Sequence, residues 1–190
     1  MLRNISRELS TLLAAKKIIS IENVDAYAYG LELFLFKSVF YLLVFILSLL
    51  SGTLLISALF VIIYLGLRQY SGGYHCKTSG MCMSVSLLIY LILVWIYLFR
   101  VEEVAIVLEL FSTISCVVIS IFAPVENKNK MLDKTEKKKY HLVSILLSLL
   151  VLVISTIAFW ANWYWVFYPS AYSLTATAVM ILISLGRCKK

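Results

Sequence analysis

His75 and Cys82 stand seven residues apart in "RQYSGGYHCKTSGMCMS", residues Arg68 to Ser84, a polar island between two long apolar runs. A thiol with an ordinary pKa of about 8.5 is only slightly ionised at neutral pH, so a nucleophilic cysteine needs a nearby base or positive field. Histidine is the usual partner. On one regular helix the two side chains would share a face but lie about 10.5 Å apart along the axis, beyond direct hydrogen bonding. Gly72, Gly73 and Gly80 admit turns that other residues resist, so a turn or broken helix between His75 and Cys82 is expected. Cys76 is a rival nucleophile, although side chains on adjacent residues diverge and its contact with the His75 ring is awkward. Ser71 and Ser79 would need a stronger base. His75, Cys76 and Cys82 are also zinc-ligand types, with His141 or Cys188 as a fourth, but His-Cys-x5-Cys matches no common structural zinc spacing. The plainest alternative is a glycine-rich loop with incidental histidine and cysteine.

The elements that must position this island are apolar. The chain has 190 residues, 62% hydrophobic and only 14% charged, with mean hydropathy +0.95. Soluble domains are about 45–50% apolar and about 25% charged, so the bilayer is the solvent that fits. Six runs stand out, at 31–50, 52–67, 84–99, 104–123, 141–161 and 163–186. Their length and the lack of barrel-type alternation predict an all-α membrane protein of six transmembrane helices. The second and third runs reach about 24 Å, short of a hydrocarbon core of about 30 Å. Either they extend into the island they flank, or the island is partly sunk in the membrane. The whole chain, 1–190, is expected to form one polytopic domain.

Lysine and arginine set the orientation. With six spans, the N-terminus, second loop, fourth loop and C-terminus share a side and hold 15 of the 17 cations. That side is expected to be cytoplasmic, with both termini on it. Trp95, Trp160, Trp163 and Trp165 fall near the opposite ends, as an outer aromatic belt. The start shows no secretory signal-peptide pattern, so the chain's own spans are expected to direct insertion. Residues 1–30 form a distinct N-terminal region: Leu2, Ile5, Leu9, Leu12 and Leu13 recur at helical spacing, as in a helix lying on the inner leaflet or one packed against the bundle. Residues 124–140 form a basic loop with six lysines and three acids. The cysteines at 76, 82 and 188 lie towards the reducing side and Cys116 within a span, so no disulfide framework is expected.

Arg68-Gln69-Tyr70-Ser71-Gly72-Gly73-Tyr74-His75, followed by Thr78 and Cys82, resembles the signature of the accessory gene regulator B (AgrB) family, bacterial membrane cysteine peptidases that mature quorum-sensing peptides. Pro124-Val125-Glu126-Asn127-Lys128-Asn129-Lys130, ahead of a lysine-rich stretch, is similar to that family's motif between its fourth and fifth spans. The six-span plan and basic amphipathic start agree, so the resemblance covers nearly the whole chain. The family often has Ala after the histidine, where this chain has Cys76.

The resemblance implies Cys82 as nucleophile and His75 as general base, in a dyad without a third acid. Residues 68–83 would then be the catalytic cytoplasmic segment. Arg68 and Gly73 match family positions important for activity. The implied substrate is a precursor peptide with an amphipathic leader, a cysteine- or serine-containing core and an acidic tail, cut at the core–tail junction to give a cyclic thiolactone or lactone. Lys128 and Lys130 are candidate contacts for that tail, with Lys134 and Lys137 to Lys139 adding a long-range field. The resemblance also implies a homodimer in the bacterial cell membrane, without cofactor, metal or nucleic acid. A peptide exporter or channel without proteolytic activity is the alternative, motivated by the six spans and by Glu109 within the fourth. Buried membrane charges usually pair or serve function, and for Glu109 both a packing contact and a pore-like contact are open.

Overall fold

The computed structural model describes residues 2–73, 78–99, 102–125 and 133–188. These form α1 (Leu2–Ala15), α2 (Val24–Leu50), α3 (Leu54–Ser71), α4 (Ser79–Phe99), α5 (Glu102–Phe122), α6 (Lys134–Trp160) and α7 (Tyr164–Cys188), with a short 3₁₀ turn at Ile21–Asn23 before α2. No strand occurs among the described residues. The six helices α2 to α7 are long and apolar enough to cross a membrane. All backbone groups must bond internally in hydrocarbon, which is why a chain this apolar resolves into helices.

Several elements begin earlier than their apolar runs, the first and fifth spans by the most. The first membrane-length stretch starts at Ile21 and the fifth at Lys134. In each case the helix continues through charged or polar residues that interrupt hydropathy but not helix propensity. At α6 the local chemistry is readable: the Asp133 amide donates to Glu136 Oε2 (3.3 Å), and Thr135 Oγ1 donates to Asp133 Oδ2 (2.9 Å). This closes the start of a helix within the segment expected to be a basic loop. The two short runs extend into the island, as α3 continues through Arg68 to Ser71 and α4 starts at Ser79.

The chain divides into two compact units, Met1–Leu47 with Cys76–Leu87, and Ser48–His75 with Leu88–Lys190. In the first unit, α1 buries Ser6 and Ser10 and leaves Ile5, Leu9 and Leu12 exposed. The Ser10 hydroxyl is satisfied by the Ser6 carbonyl (2.9 Å).

The second unit is built on α7, which α3, α5 and α6 all contact. In lipid there is no hydrophobic drive between helices, so close packing of small residues must hold them. Ser170, Ala171, Ser173, Ala176, Thr177 and Ala178 are all buried on α7. A core of Leu67, Ile119, Ala123, Val151, Leu174, Ala178 and Ile181 ties α3, α5 and α6 to it. Phe60 stacks on Tyr64 (5.2 Å between centroids) and also meets Tyr90 (6.2 Å) and Tyr172 (6.1 Å). The Tyr90 and Ser57 hydroxyls pair at 2.9 Å, joining α3 to the second half of α4. Between α6 and α7 the chain reverses at Asn162, whose φ of 58° suits asparagine. The Trp163 amide there returns to the Ala158 carbonyl at 2.8 Å.

Candidate functional site

Cys82 lies in the first unit, on the first turn of α4, as a partly buried thiol outside any disulfide. Thr78 prepares that turn. Its hydroxyl accepts the Met81 amide (3.3 Å) and its carbonyl accepts the Cys82 amide (3.2 Å). A threonine oxygen taking up an orphan N–H is what starts a helix, and here it fixes the backbone on which the thiol stands. His75, Cys76 and the turn expected between His75 and Cys82 lie outside the described residues, as do Lys128 and Lys130.

The rest of the first motif belongs to the second unit. Arg68 is on the last turn of α3, half-buried. Its Nη1 donates to the Tyr64 hydroxyl (3.1 Å), with the guanidinium 5.8 Å from the Tyr64 ring centroid. Tyr64 is itself buried against Phe60, so the cation stands on an aromatic column. Tyr70 meets Tyr140 of α6 edge-to-face (5.6 Å, 87°). Ser71 is buried and returns its hydroxyl to the Leu67 carbonyl (2.7 Å).

Gly72 and Gly73 follow with φ of 72° and 126°, conformations open to glycine and costly for other residues. Gly72 forms a parallel bridge with Val125, anchored by the Val125 amide donating to the Ser71 carbonyl (3.0 Å). A Cβ at Gly72 would collide with the Val125 carbonyl oxygen. Gly73 is buried, and a Cβ there would lie 3.5 Å from Met180 Cβ on α7. The two sequence motifs, far apart along the chain, are therefore joined backbone to backbone. The pairing of Gly72 with Val125 and the Tyr64 platform under Arg68 have no local signature in the sequence.

Glu109 proves to be a contact between α5 and α6. Its Oε1 accepts the Thr156 hydroxyl (2.6 Å) and its Oε2 accepts those of Ser155 (3.0 Å) and Ser112 (3.3 Å). Neighbouring residues on α6 thus serve both oxygens of one carboxylate, near the helix end that carries Trp160. Among the described residues no group of three His, Cys, Asp or Glu is placed to hold a metal ion.

Six membrane-length helices, with a cysteine at the start of α4 and two motifs clasped at the ends of α3 and α5, define a polytopic helical membrane protein. The chain belongs to the accessory gene regulator B family, whose model matches residues 5–185. It is 28% identical to the accessory gene regulator protein B of Staphylococcus carnosus over 141 residues, 70% of this chain and 72% of that protein. The protein of the same name from Staphylococcus haemolyticus is 28% identical over 95 residues, 50% of each chain. An AgrB-like protein of Clostridium perfringens is 26% identical over 145 residues, 73% of this chain and 67% of that one. No solved structure matches the chain.

Proposed function

We propose that the protein is a membrane-embedded cysteine endopeptidase that removes the C-terminal tail of a quorum-sensing precursor peptide, leaving the core as a cyclic thiolactone or lactone. The observation that carries this reading is family membership across residues 5–185, in a chain whose sequence keeps the His75 motif and whose Cys82 stands on a capped helix start.

In this reading His75 takes the Cys82 proton as the sulfur attacks the scissile carbonyl. A carbon–sulfur bond forms, the peptide C–N bond breaks, and the proton passes to the departing amine of the acidic tail. Arg68 and the backbone N–H groups after the glycines are the candidates to stabilise the oxyanion. A side-chain thiol or hydroxyl of the core then attacks the thioester, closing the ring and returning the Cys82 sulfur. Water must be excluded for ring closure to outrun hydrolysis, and a site at the membrane surface serves that end. The bridge between Ser71–Gly72 and Val125 joins the two motifs at their described ends, and in this reading Lys128 and Lys130 serve the acidic tail.

Orientation belongs to the same proposal. The Tyr70–Tyr140 contact puts Arg68 and Lys134 to Lys139 at one end of the second unit, while α6 runs away from them to the exposed Trp160. Positive-inside logic makes the lysine end cytoplasmic, with both termini there, and the exposed apolar face of α1 suits the inner leaflet.

The test is cleavage of a leader–core–acidic-tail peptide by detergent-solubilised protein, followed by mass spectrometry. Cys82→Ala and His75→Ala are each expected to abolish cleavage with membrane insertion unchanged, while Cys76→Ala retains it. An acyl adduct should map to Cys82. Full activity in Cys82→Ala would overturn the assignment.

A further inference from the structure

Beside the site, where α5 ends and α6 begins, lies an open cleft of about 360 Å³ lined by Ile121, Phe122, Pro124, Lys137, Lys138 and His141. Its two walls differ in chemistry. Ile121 and Phe122 are on the last turn of a membrane-length helix and are 65% and 44% exposed, so they face acyl chains. Lys137 and Lys138 are exposed on the first turns of α6, above that apolar wall.

His141 holds the two walls together. Its Nδ1 lies 2.6 Å from the Ala123 carbonyl oxygen. A carbonyl only accepts, so Nδ1 carries the hydrogen, and the ring is locked between the end of α5 and the second turn of α6. Residues 137 and 141 are four apart and share a helix face. The lysines thus rise from a helix tied to the end of α5, and both line the cleft with Phe122.

We infer that this cleft is a binding site for an anionic phospholipid, with the headgroup phosphate held by Lys137 and Lys138 and the first acyl segments against Ile121 and Phe122. Charge complementarity selects the phosphate, and basic residues at a membrane surface attract anionic lipid. The adjoining apolar wall selects an amphiphile over a free anion, because a soluble phosphate or an acidic peptide gains nothing from Ile121 and Phe122. This inference concerns the membrane reading and stands apart from the peptidase reading.

Native mass spectrometry of the full chain in detergent tests it, with phosphatidylglycerol and phosphatidylcholine of identical acyl chains. The wild type should retain phosphatidylglycerol preferentially. Lys137→Gln/Lys138→Gln should weaken that retention by about fivefold per lysine. Lys134→Gln/Lys139→Gln removes the same charge outside the cleft and should leave retention unchanged. Phe122→Ala should weaken both lipids while leaving the preference for phosphatidylglycerol. Equal losses from the two lysine pairs would overturn the inference, since diffuse surface charge would then suffice. So would displacement of the lipid by equimolar inorganic phosphate or by an equimolar acidic peptide.

Discussion

Gly72 tolerates no side chain for two separate reasons. Its φ of 72° lies where other residues are strained, and a Cβ would press on the Val125 carbonyl oxygen, which is backbone and cannot rotate away. Gly72→Ala is expected to part the two motifs and to cut precursor cleavage at least about tenfold, for a strain on the order of 1–3 kcal/mol. Gly66 is the contrast: it is helical and a Cβ there meets nothing within 4 Å. Gly66→Ala should keep activity and raise stability by about 0.5–1 kcal/mol, read by thermal unfolding in detergent. At this scale the sequence was partly legible. The island stands out because its residue types are out of place in an apolar chain, while only the family resemblance singles out Arg68 and Gly73. The Ser71–Val125 bond and the Tyr64 platform could not, because they arise between segments that only the packed fold brings together.

Among the elements, α5 and α6 are joined through Glu109. Its carboxylate accepts from Ser155 and Thr156 across the interface. Interhelical hydrogen bonds in membranes average roughly 0.6 kcal/mol and reach about 1.7, so Glu109→Ala should cost about 1–3 kcal/mol of thermal stability and Glu109→Gln distinctly less. Equal melting of Glu109→Ala and wild type would show that the contact contributes nothing. The start of α6 makes a different prediction. The Thr135 hydroxyl bonded to the Asp133 carboxylate, together with backbone N–H groups, holds the Asp133 pKa below its ordinary 3.8. A depressed folded value means that Asp133 supports the fold above its unfolded pKa, and that this support is lost as pH falls through the folded value. Hydrogen exchange at Lys134 to Lys137 should therefore stay slow, relative to unfolded peptide controls, above about pH 4 and quicken below it. Asp133→Asn should remove that pH dependence. Hydropathy located all six spans, because about 20 apolar residues leave little choice in lipid. It misplaced the starts of the first and fifth spans most, because a helix runs through charged residues that a hydropathy pattern reads as loop.

For the whole molecule, the arrangement around α7 places lysines and tryptophans at opposite ends of the second unit. Trypsin should therefore cut at Lys134 to Lys139 in inverted vesicles and spare them in intact spheroplasts; cutting in spheroplasts would reverse the assigned sidedness. The six-helix plan was legible because it follows from composition and charge. The central role of α7 was not, since its small buried residues read as ordinary alanine, serine and threonine until their neighbours are known. One feature of α6 reaches beyond its own packing. Its 27 residues measure about 40 Å, roughly 10 Å more than the oily interior of a bilayer. In an upright helix that surplus would be a stiff post standing proud of the membrane, with its cations mounted at set heights. Cations on such a post are already in place, so little of a ligand's attraction to them would be spent on ordering the receiver.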